Sequence, residues 1–556
     1  MQLFTVPAIA TAETPPAAAI ASAHPLATAA GIEILNAGGN AFDAAVAVSA
    51  ALAVVEPGSS GLGGGGFWLL HRDSDGHQIM IDGRERAPQA ATPALFIGPD
   101  GTVLRERLMD GPLAAAIPGV PAALDHLARH YGRLPLSRSL APAIRLARDG
   151  FAADDKLTAM IRFRLDALRR SPAAAALFLV NDGPPAPGHI IRQHDLADTL
   201  QQLAQHGRDG FYRGPVARRL LDGVRAAGGI WQDSDLQHYQ VVERAPLHGV
   251  YRGIKITAAP PPSSGGIGLL TMLNILSRYD LDRLPEATRI HLISEAMRRA
   301  YRDRAQYLGD PDFVAMPVER LIDADHAAAV AASIHLDRAT RSTELPEVAP
   351  TTAGDGPDTS HFSILDRDGN RVAATLSINY PFGAAFVAPG TGVVLNDELD
   401  DFVIQPGTRI GYGLGGGAAN LIQGGKRPLS SMTPTFVESD HQLAILGTPG
   451  GSRIISMVVL ATLQLAAGQQ AAAVVAAGRY HHQFLPDVIS HEPGAIAPGV
   501  AATLQGLGHQ LEATSRPYGN MQLILWDRRQ RRVEAASDPR GIGAATVIPA
   551  IAATKP

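Results

Sequence analysis

The chain has 556 residues, 46% of them hydrophobic and 18% charged, the composition of a globular protein long enough for several domains or one large layered fold. Its net charge of -5 is small for that length and its basic residues form no long cluster, so nucleic acid and anionic membrane surfaces have no electrostatic case as partners. The absence of cysteine excludes disulfides, thiol nucleophiles and thiolate metal sites, and is compatible with a reducing or an oxidising compartment.

The first residues, MQLFTVPAIATAETPPAAAIASAHP, carry no Lys or Arg ahead of their apolar stretch, and Pro7 interrupts it. No secretory leader is expected from the segment as it stands, which reads as cytoplasmic, or as periplasmic or secreted if the chain is a trimmed form. Pro25 to Val55 predicts two helices around the turn AGGN, the second (Ala41 to Val55) apolar on nearly every side except at Asp43 and therefore buried. Its run AAVAVSAALAVV is closed by Glu56-Pro57, well short of the ~20 residues a spanning helix needs, so no membrane span is expected.

In SSGLGGGGFWLL, Gly61, Gly63 and Gly66 satisfy GxGxxG, but a helix precedes them and the strand FWLLHR follows, the reverse of a dinucleotide site. These glycines instead let backbone pass close to backbone or substrate. FWLLHR and HQIMIDGR form a hairpin that ends at Arg84. An arginine there is ordinarily a solvated charge, although its fork is also the side chain best shaped to grip a carboxylate. Helices are expected at VPAALDHLARHYG, SLAPAIRLARDG, DLADTLQQLAQHG and PVARRLLDGVRAAG, each ended by glycine, and PPPSSGGIG marks a tight turn before the helix GLLTMLNIL. HLISEAMRRAYRDRAQYLGD reads as a long amphipathic helix whose Glu295, Arg298, Arg299, Arg302, Asp303 and Arg304 form a solvated, ion-paired face. From Ala327 to Asp358 the periodicity is lost, and the stretch ending in ELPEVAPTTAGDGPD is expected to be an exposed, flexible linker, most clearly over residues 340–358.

The next stretch, DTSHFSILDRDGNRVAATLSIN, predicts a β-hairpin turning on Asp368-Gly369. With a three-residue loop and Gly369 in the left-handed region, Asp366 faces Asn370, Thr359 faces Ser377, and Asn379 shares the face of Ser377. An ordinary surface hairpin with polar ends fits the same pattern. The converging hydroxyls, however, suit an N-terminal nucleophile, in which a threonine is activated by its own α-amine, of reference pKa about 7.7–8.0. That amine exists only if the Asp358-Thr359 bond is cut first, by attack of the Thr359 hydroxyl on the Asp358 carbonyl, with Ser377 assisting. Downstream, Glu398, Asp400 and Asp401 cluster without EF-hand spacing. GTRIGYGLGGGAANLIQGGKRPLSSM has the glycine-rich composition of a lid. His481 and His482 point different ways on any regular element and are expected to be structural, so no metal is assigned.

The run TSHFSILDRDGN, followed by NDELDDF, KRPLSSMTPT and GTPGGSRI, resembles the γ-glutamyltranspeptidase family of self-processing N-terminal nucleophile hydrolases, and the likeness extends in order from GGNAFDAAVA to RYHHQFLPD. The resemblance implies an α+β fold, a four-layer αββα sandwich built jointly by a large subunit (1–358) and a small one (359–556) that stay associated after cleavage. It implies Thr359 as nucleophile, Ser377 as its helper and Gly450 and Gly451 as the oxyanion donors. Arg84, Ser430 and Ser431 would bind the substrate α-carboxylate, Asn379, Glu398 and Asp401 its α-ammonium, and Tyr412 would cover the site. The expected substrates are glutathione or other γ-glutamyl compounds, with water, an amino acid or a peptide as acceptor and no cofactor. Ser360 and Ser377 stand where many members carry threonine. Ala384-Ala385 departs from the small polar residue and glycine expected there, which leaves the leaving-group side and acceptor preference open. Two alternatives stand beside this: a glutaryl-cephalosporin-type acylase of the same fold, and an unprocessed binding homologue.

Overall fold

The computed structural model describes residues 14–346, 359–406 and 417–549, and among them two large antiparallel sheets carry the architecture. The first has the strand order Ala544–Pro549, Ala17–Ser22, Ser360–Leu365, Arg371–Ser377, Gly65–Arg72, His77–Asp82 and Val242–Arg244. The second runs Arg532–Ser537, Gln522–Asp527, Gln442–Gly447, Thr435–Glu438, Ile254–Ala258 and Leu247–Tyr251. Residues before and after position 358 contribute strands to both sheets, interleaved in the first, so neither segment completes a sheet alone.

The hairpin occupies the middle of the first sheet with the expected register, Arg371 opposite Leu365 through Leu376 opposite Ser360. The Asp366 amide donates to the Asn370 carbonyl at 3.0 Å, and Gly369 closes the three-residue loop at φ +90°, a conformation that glycine adopts at no steric cost. One oxygen of the Asp366 carboxylate accepts the amides of Asp368 and Asn370, each at 2.9 Å, and the other accepts the amide of Ala41, also at 2.9 Å. The turn thereby caps the helix Ala41–Val55, where a carboxylate is favoured by the positive end of the helix dipole.

Alternation along the hairpin sends its side chains into two cores. Phe362, Ile364, Val372, Ala374 and Leu376 pack with the helices Pro25–Asn36 and Ala41–Val55. On the opposite face, Ser363 Oγ donates to the Gln522 carbonyl of the second sheet at 3.1 Å. His361 lies against Gly447 of that sheet, where an added Cβ would sit 2.3 Å from the imidazole ring. The second core holds Phe67, Leu69, Met80 and Ala373 together with Ile256, Phe436, Ile445 and the helices Gly265–Leu276, Glu286–Tyr307 and Arg453–Ala466. Helix Ala41–Val55 is buried along its whole length, as its composition predicts, and Asp43 is tolerated there because it accepts the amides of Asn40, Arg133 and Leu134.

Two expectations are corrected. The charges of helix Glu286–Tyr307 do not form a solvated face: Glu295, Arg298, Arg299, Asp303 and Arg304 are all buried, and only Arg302 reaches solvent in part. The helix runs beneath other elements, and its buried charges survive there because most are paired; Arg304 instead bonds the hydroxyls of Ser264 and Ser431. Arg299 donates to Glu295 at 2.5 Å, Thr340 N donates to the same carboxylate at 3.1 Å, and Arg298 bonds Ser342 Oγ at 2.7 Å and Asp487. Nor is the segment from Ala327 a continuous flexible linker. Ala324–Ala332 is a helix, and Ser342, buried, donates its amide to Asp487 and its hydroxyl to the Phe484 carbonyl. The rest of the expected linker, residues 347–358 with Asp358, lies outside the described residues.

Burial keeps the His361 imidazole neutral, lowering its pKa to about 3. An unfolded histidine takes up a proton near 6.5, so this group's contribution to stability is complete above pH 6.5 and is lost progressively as pH falls towards 3. His361→Gln has no proton to gain. Its melting temperature relative to wild type should therefore rise as pH is lowered from about 7 to about 5, by the equivalent of ~2 kcal/mol; a difference independent of pH would show that the ring is not held neutral by burial.

Candidate active site

Thr359 stands at the mouth of the hairpin, buried, with its Oγ1 3.3 Å from Ser377 Oγ. Ser377 Oγ is itself held by the Asn379 amide at 2.9 Å. Asn379 adopts φ +72°, a left-handed conformation that asparagine enters more readily than most residues, and its Nδ2 donates to the Asp397 carbonyl at 3.1 Å. Beneath the strand end, a Cβ on Gly64 would lie 2.1 Å from the Ser377 carbonyl, so the glycine-rich run serves close backbone passage. Ser360, the neighbour of Thr359, donates to Glu56 at 2.7 Å, and Lys156 donates to the other oxygen of Glu56 at 2.6 Å.

The acid cluster reaches the hairpin through backbone. Asp397 N donates to the Ile378 carbonyl at 3.3 Å, and Tyr380 N donates to Asp397 Oδ1 at 2.9 Å. The turn Glu398–Asp401 then presents Glu398 and Asp401 to Arg84. Arg84 is 1% exposed, and its guanidinium donors are spread over five acceptors. Nε donates to the Pro428 carbonyl at 3.1 Å, Nη1 to Glu85 at 3.3 Å and to Glu398, and Nη2 to Asp401 at 2.6 Å and the Leu429 carbonyl at 3.5 Å. Burial raises the pKa of Glu85, Glu398 and Asp401 against the pull of Arg84. Asp400, buried with only Arg105 beside it, is pushed up to about 7. Glu85 Oε1 and Glu398 Oε2 are buried without a hydrogen-bond partner among the described residues.

Ser430 and Ser431 follow directly on the Pro428 and Leu429 carbonyls that Arg84 holds. Ser264 donates to the Ser430 carbonyl through its amide at 2.8 Å and its hydroxyl at 2.7 Å, and the Met432 amide donates to Ser430 Oγ at 3.1 Å. Arg304 Nη2 donates to Ser431 Oγ at 3.2 Å and its Nε to Ser264 Oγ at 2.9 Å. Gly450 and Gly451 make the turn from the strand Gln442–Gly447 into the helix Arg453–Ala466, with φ +143° and +56°.

These elements line one small cleft, whose wall includes Thr359, Ser377, Asn379, Arg84, Glu398, Asp401, Ser430, Ser431, Gly451 and Arg304. Every expected site residue within the described regions is thus in the cleft wall or, for Gly450, next to it. Tyr412 and Asp358 lie outside the described residues. Arg304 and Glu85 were not singled out from sequence as parts of the site. Arg304 falls in a helix read as a solvated face, and Glu85 adjoins Arg84 in sequence, which was the one available signal. Ala384 and Ala385 are buried outside the cleft wall. The Ala384 carbonyl accepts the Gly111 amide at 2.8 Å and its amide donates to the Leu395 carbonyl at 3.0 Å, so this departure can act on the site through the backbone leading to Asn396–Glu398.

Both rings of the His481-His482 pair are engaged by protein groups: His481 by Ser456 and Gln483, His482 by Asp487 and the Phe484 amide. The described trio that could meet around one ion is His291, Glu295 and His509, but Glu295 already serves Arg298, Arg299 and Thr340.

A profile of the gamma-glutamyltranspeptidase family matches residues 27–548. The "glutathione hydrolase proenzyme" of Pseudomonas sp. (strain A14) is 40% identical over 512 residues, covering 91% of this chain and 88% of that protein. The "acylase ACY 1 proenzyme" of Pseudomonas sp. (strain SE83) is 36% identical over 514 residues, covering 91% and 89%. Among solved structures, the cephalosporin acylase from Bacillus halodurans superposes with a TM-score of 0.82 at 26% identity, covering 98% of each chain. With a family match over nearly its whole length and the corresponding residues gathered in one cleft, the chain belongs to the γ-glutamyltranspeptidase family.

Proposed function

We propose that the chain cleaves itself between Asp358 and Thr359 and then acts as a γ-glutamyl transferase and hydrolase on glutathione and related γ-glutamyl amides. The observation that carries this is the convergence of a hydroxyl pair, Thr359 and Ser377, with a carboxylate-lined end, Asn379, Glu398 and Asp401, and a serine-lined end, Ser430 and Ser431, in one cleft. Attack of Thr359 Oγ1 on the Asp358 carbonyl shifts that acyl group to the oxygen, and water then releases residues 1–358 from 359–556 and frees the threonine amine. The interleaved strand order supports two subunits that remain associated, and the two sheets with helical cores on their outer sides support a four-layer αββα sandwich.

In the mature enzyme the freed amine takes the hydroxyl proton as Thr359 attacks the γ-amide carbon, and the Gly450 and Gly451 amides meet the developing oxyanion, a contribution of ~3 kcal/mol per donor. The amine product leaves with that proton. Water, an amino acid or a peptide then takes the γ-glutamyl group from the ester. A substrate α-ammonium entering beside Asn379, Glu398 and Asp401 competes with Arg84 for those carboxylates and turns the Arg84 fork towards the α-carboxylate, which Ser430 and Ser431 also meet. Tyr412 is assigned to cover the bound acyl group.

The acylase reading has support of its own in the similarity to the acylase relatives. A glutaryl group lacks the ammonium, however, and would leave the Glu398 and Asp401 charges without a substrate partner, a mismatch that sites of this kind reject strongly.

Purified wild-type protein is expected to give two bands on a denaturing gel, the smaller beginning TSHFS, while Thr359→Ala remains a single chain. A fully active wild-type protein that stays uncut would remove the mechanism and favour an uncleaved form. Matched γ-glutamyl and glutaryl anilides test the donor: wild type should favour the former in kcat/KM on the order of a hundred-fold or more, and Asp401→Asn should narrow that ratio. Preference for the glutaryl compound would assign the chain to the acylases instead.

A further inference from the structure

We infer that Arg304 is a specificity-determining residue of this cleft, the cation that makes its serine end selective for a donor carrying an α-carboxylate. The inference rests on the site described above but needs only that the donor have a carboxylate at that end, which γ-glutamyl and glutaryl groups share.

The argument is one of charge balance. Arg84, the obvious carboxylate clamp, is surrounded by Glu85, Glu398 and Asp401, and although burial opposes their ionisation, one ionised acid among them is enough to offset its single positive charge. An anionic substrate group arriving at Arg84 alone meets a neighbourhood that is neutral or negative. Arg304 lines the same cleft and has no carboxylate within ion-pair distance among the described residues; its described partners are the hydroxyls of Ser264 and Ser431. A buried guanidinium whose hydrogen bonds go to two neutral oxygens, and which feels Asp401 only from beyond ion-pair distance while that acid is bonded to Arg84, is left partly uncompensated, a configuration that an arriving anion relieves. Burial lowers its pKa only to about 10, so it remains charged at neutral pH.

Its geometry supplies selectivity as well as charge. Arg304 donates to Ser431 Oγ, which leaves the serine hydroxyl proton free to point into the cleft at an anion. Through Ser264 Oγ, which donates to the Ser430 carbonyl at 2.7 Å, it also steadies the backbone that presents the serine pair. Arg304 is thus positioned both to attract a carboxylate and to orient the donors that bind it. Arg304 shares the cleft wall with Asp401 and Arg84, close enough to act on both, as a head whose ammonium and carboxylate sit on one carbon requires.

The test compares donors with and without the carboxylate: γ-glutamyl anilide against 4-aminobutyryl anilide, which keeps the ammonium. Arg304→Gln should raise KM for γ-glutamyl anilide on the order of ten-fold or more with a smaller change in kcat, and leave 4-aminobutyryl anilide turnover little altered. Arg304→Lys should recover much of the loss, since it keeps the charge. Two bands on a denaturing gel confirm that each variant has folded and processed. If Arg304→Gln does not process, Arg304→Lys and Ser264→Ala carry the comparison, the latter removing one anchor while retaining the cation. Equal losses on both donors, or no loss on either, would overturn the inference by reducing Arg304 to a structural role or none. Should wild type prefer glutaryl anilide, the γ-glutamyl assignment fails, and the same variants measured on glutaryl and butyryl anilides still decide the role of Arg304.

Discussion

The site depends on one constraint, the register of a hairpin buried on both faces. A slip of one residue would turn His361 and Ser363 into the helical core and Phe362 and Ile364 towards the second sheet, so the pattern of side chains admits one pairing. That pairing brings Thr359 and Ser377 within 3.3 Å at the mouth. Asp366 fastens the far end to the helix Ala41–Val55, and the left-handed Asn379 turns the chain out of the strand towards the acid loop. Thr359 is positioned by the sheet, Arg84, Glu398 and Asp401 are brought to it by turns beyond strand ends, and Arg304 by a helix.

Electrostatics divides the cleft. Desolvation works against every ionised group there, and the wall holds its charges by different means: Arg84 by three acids, Glu398 and Asp401 by Arg84, and Arg304 by hydroxyls. The wall thus sets acids paired to Arg84 beside a second guanidinium, Arg304, whose hydrogen bonds go to hydroxyls and which feels Asp401 at longer range. Such a cleft discriminates by the charge pattern of a ligand more than by its volume, because a ligand that fails to match leaves buried charges uncompensated.

The same polypeptide architecture accommodates relatives named glutathione hydrolase and relatives named acylase, and the likeness to a cephalosporin acylase extends over 98% of the chain. Architecture therefore does not select the donor. Under the function proposed above, the donor would be selected by acceptors for an ammonium, the part assigned there to Asn379, Glu398 and Asp401.

Local pattern was enough for much of this. The hairpin and its three-residue loop followed from Asp368-Gly369 between alternating runs, the buried helix from an apolar sequence with a single acid, and the family from motifs spread along the chain, because each depends on neighbours within a few residues or on a contiguous run. The charges of helix Glu286–Tyr307 show where such information ends. Glu and Arg three and four apart look the same in sequence whether the helix face meets water or a core, and only the packing of residues 340–342 and 479–487 against it buries them. The distinct parts of Arg84 and Arg304 were equally beyond local pattern. Apart from Glu85, the carboxylates that meet Arg84 and the hydroxyls that meet Arg304 come from segments 40 to 317 residues away, and only the tertiary structure brings those segments together.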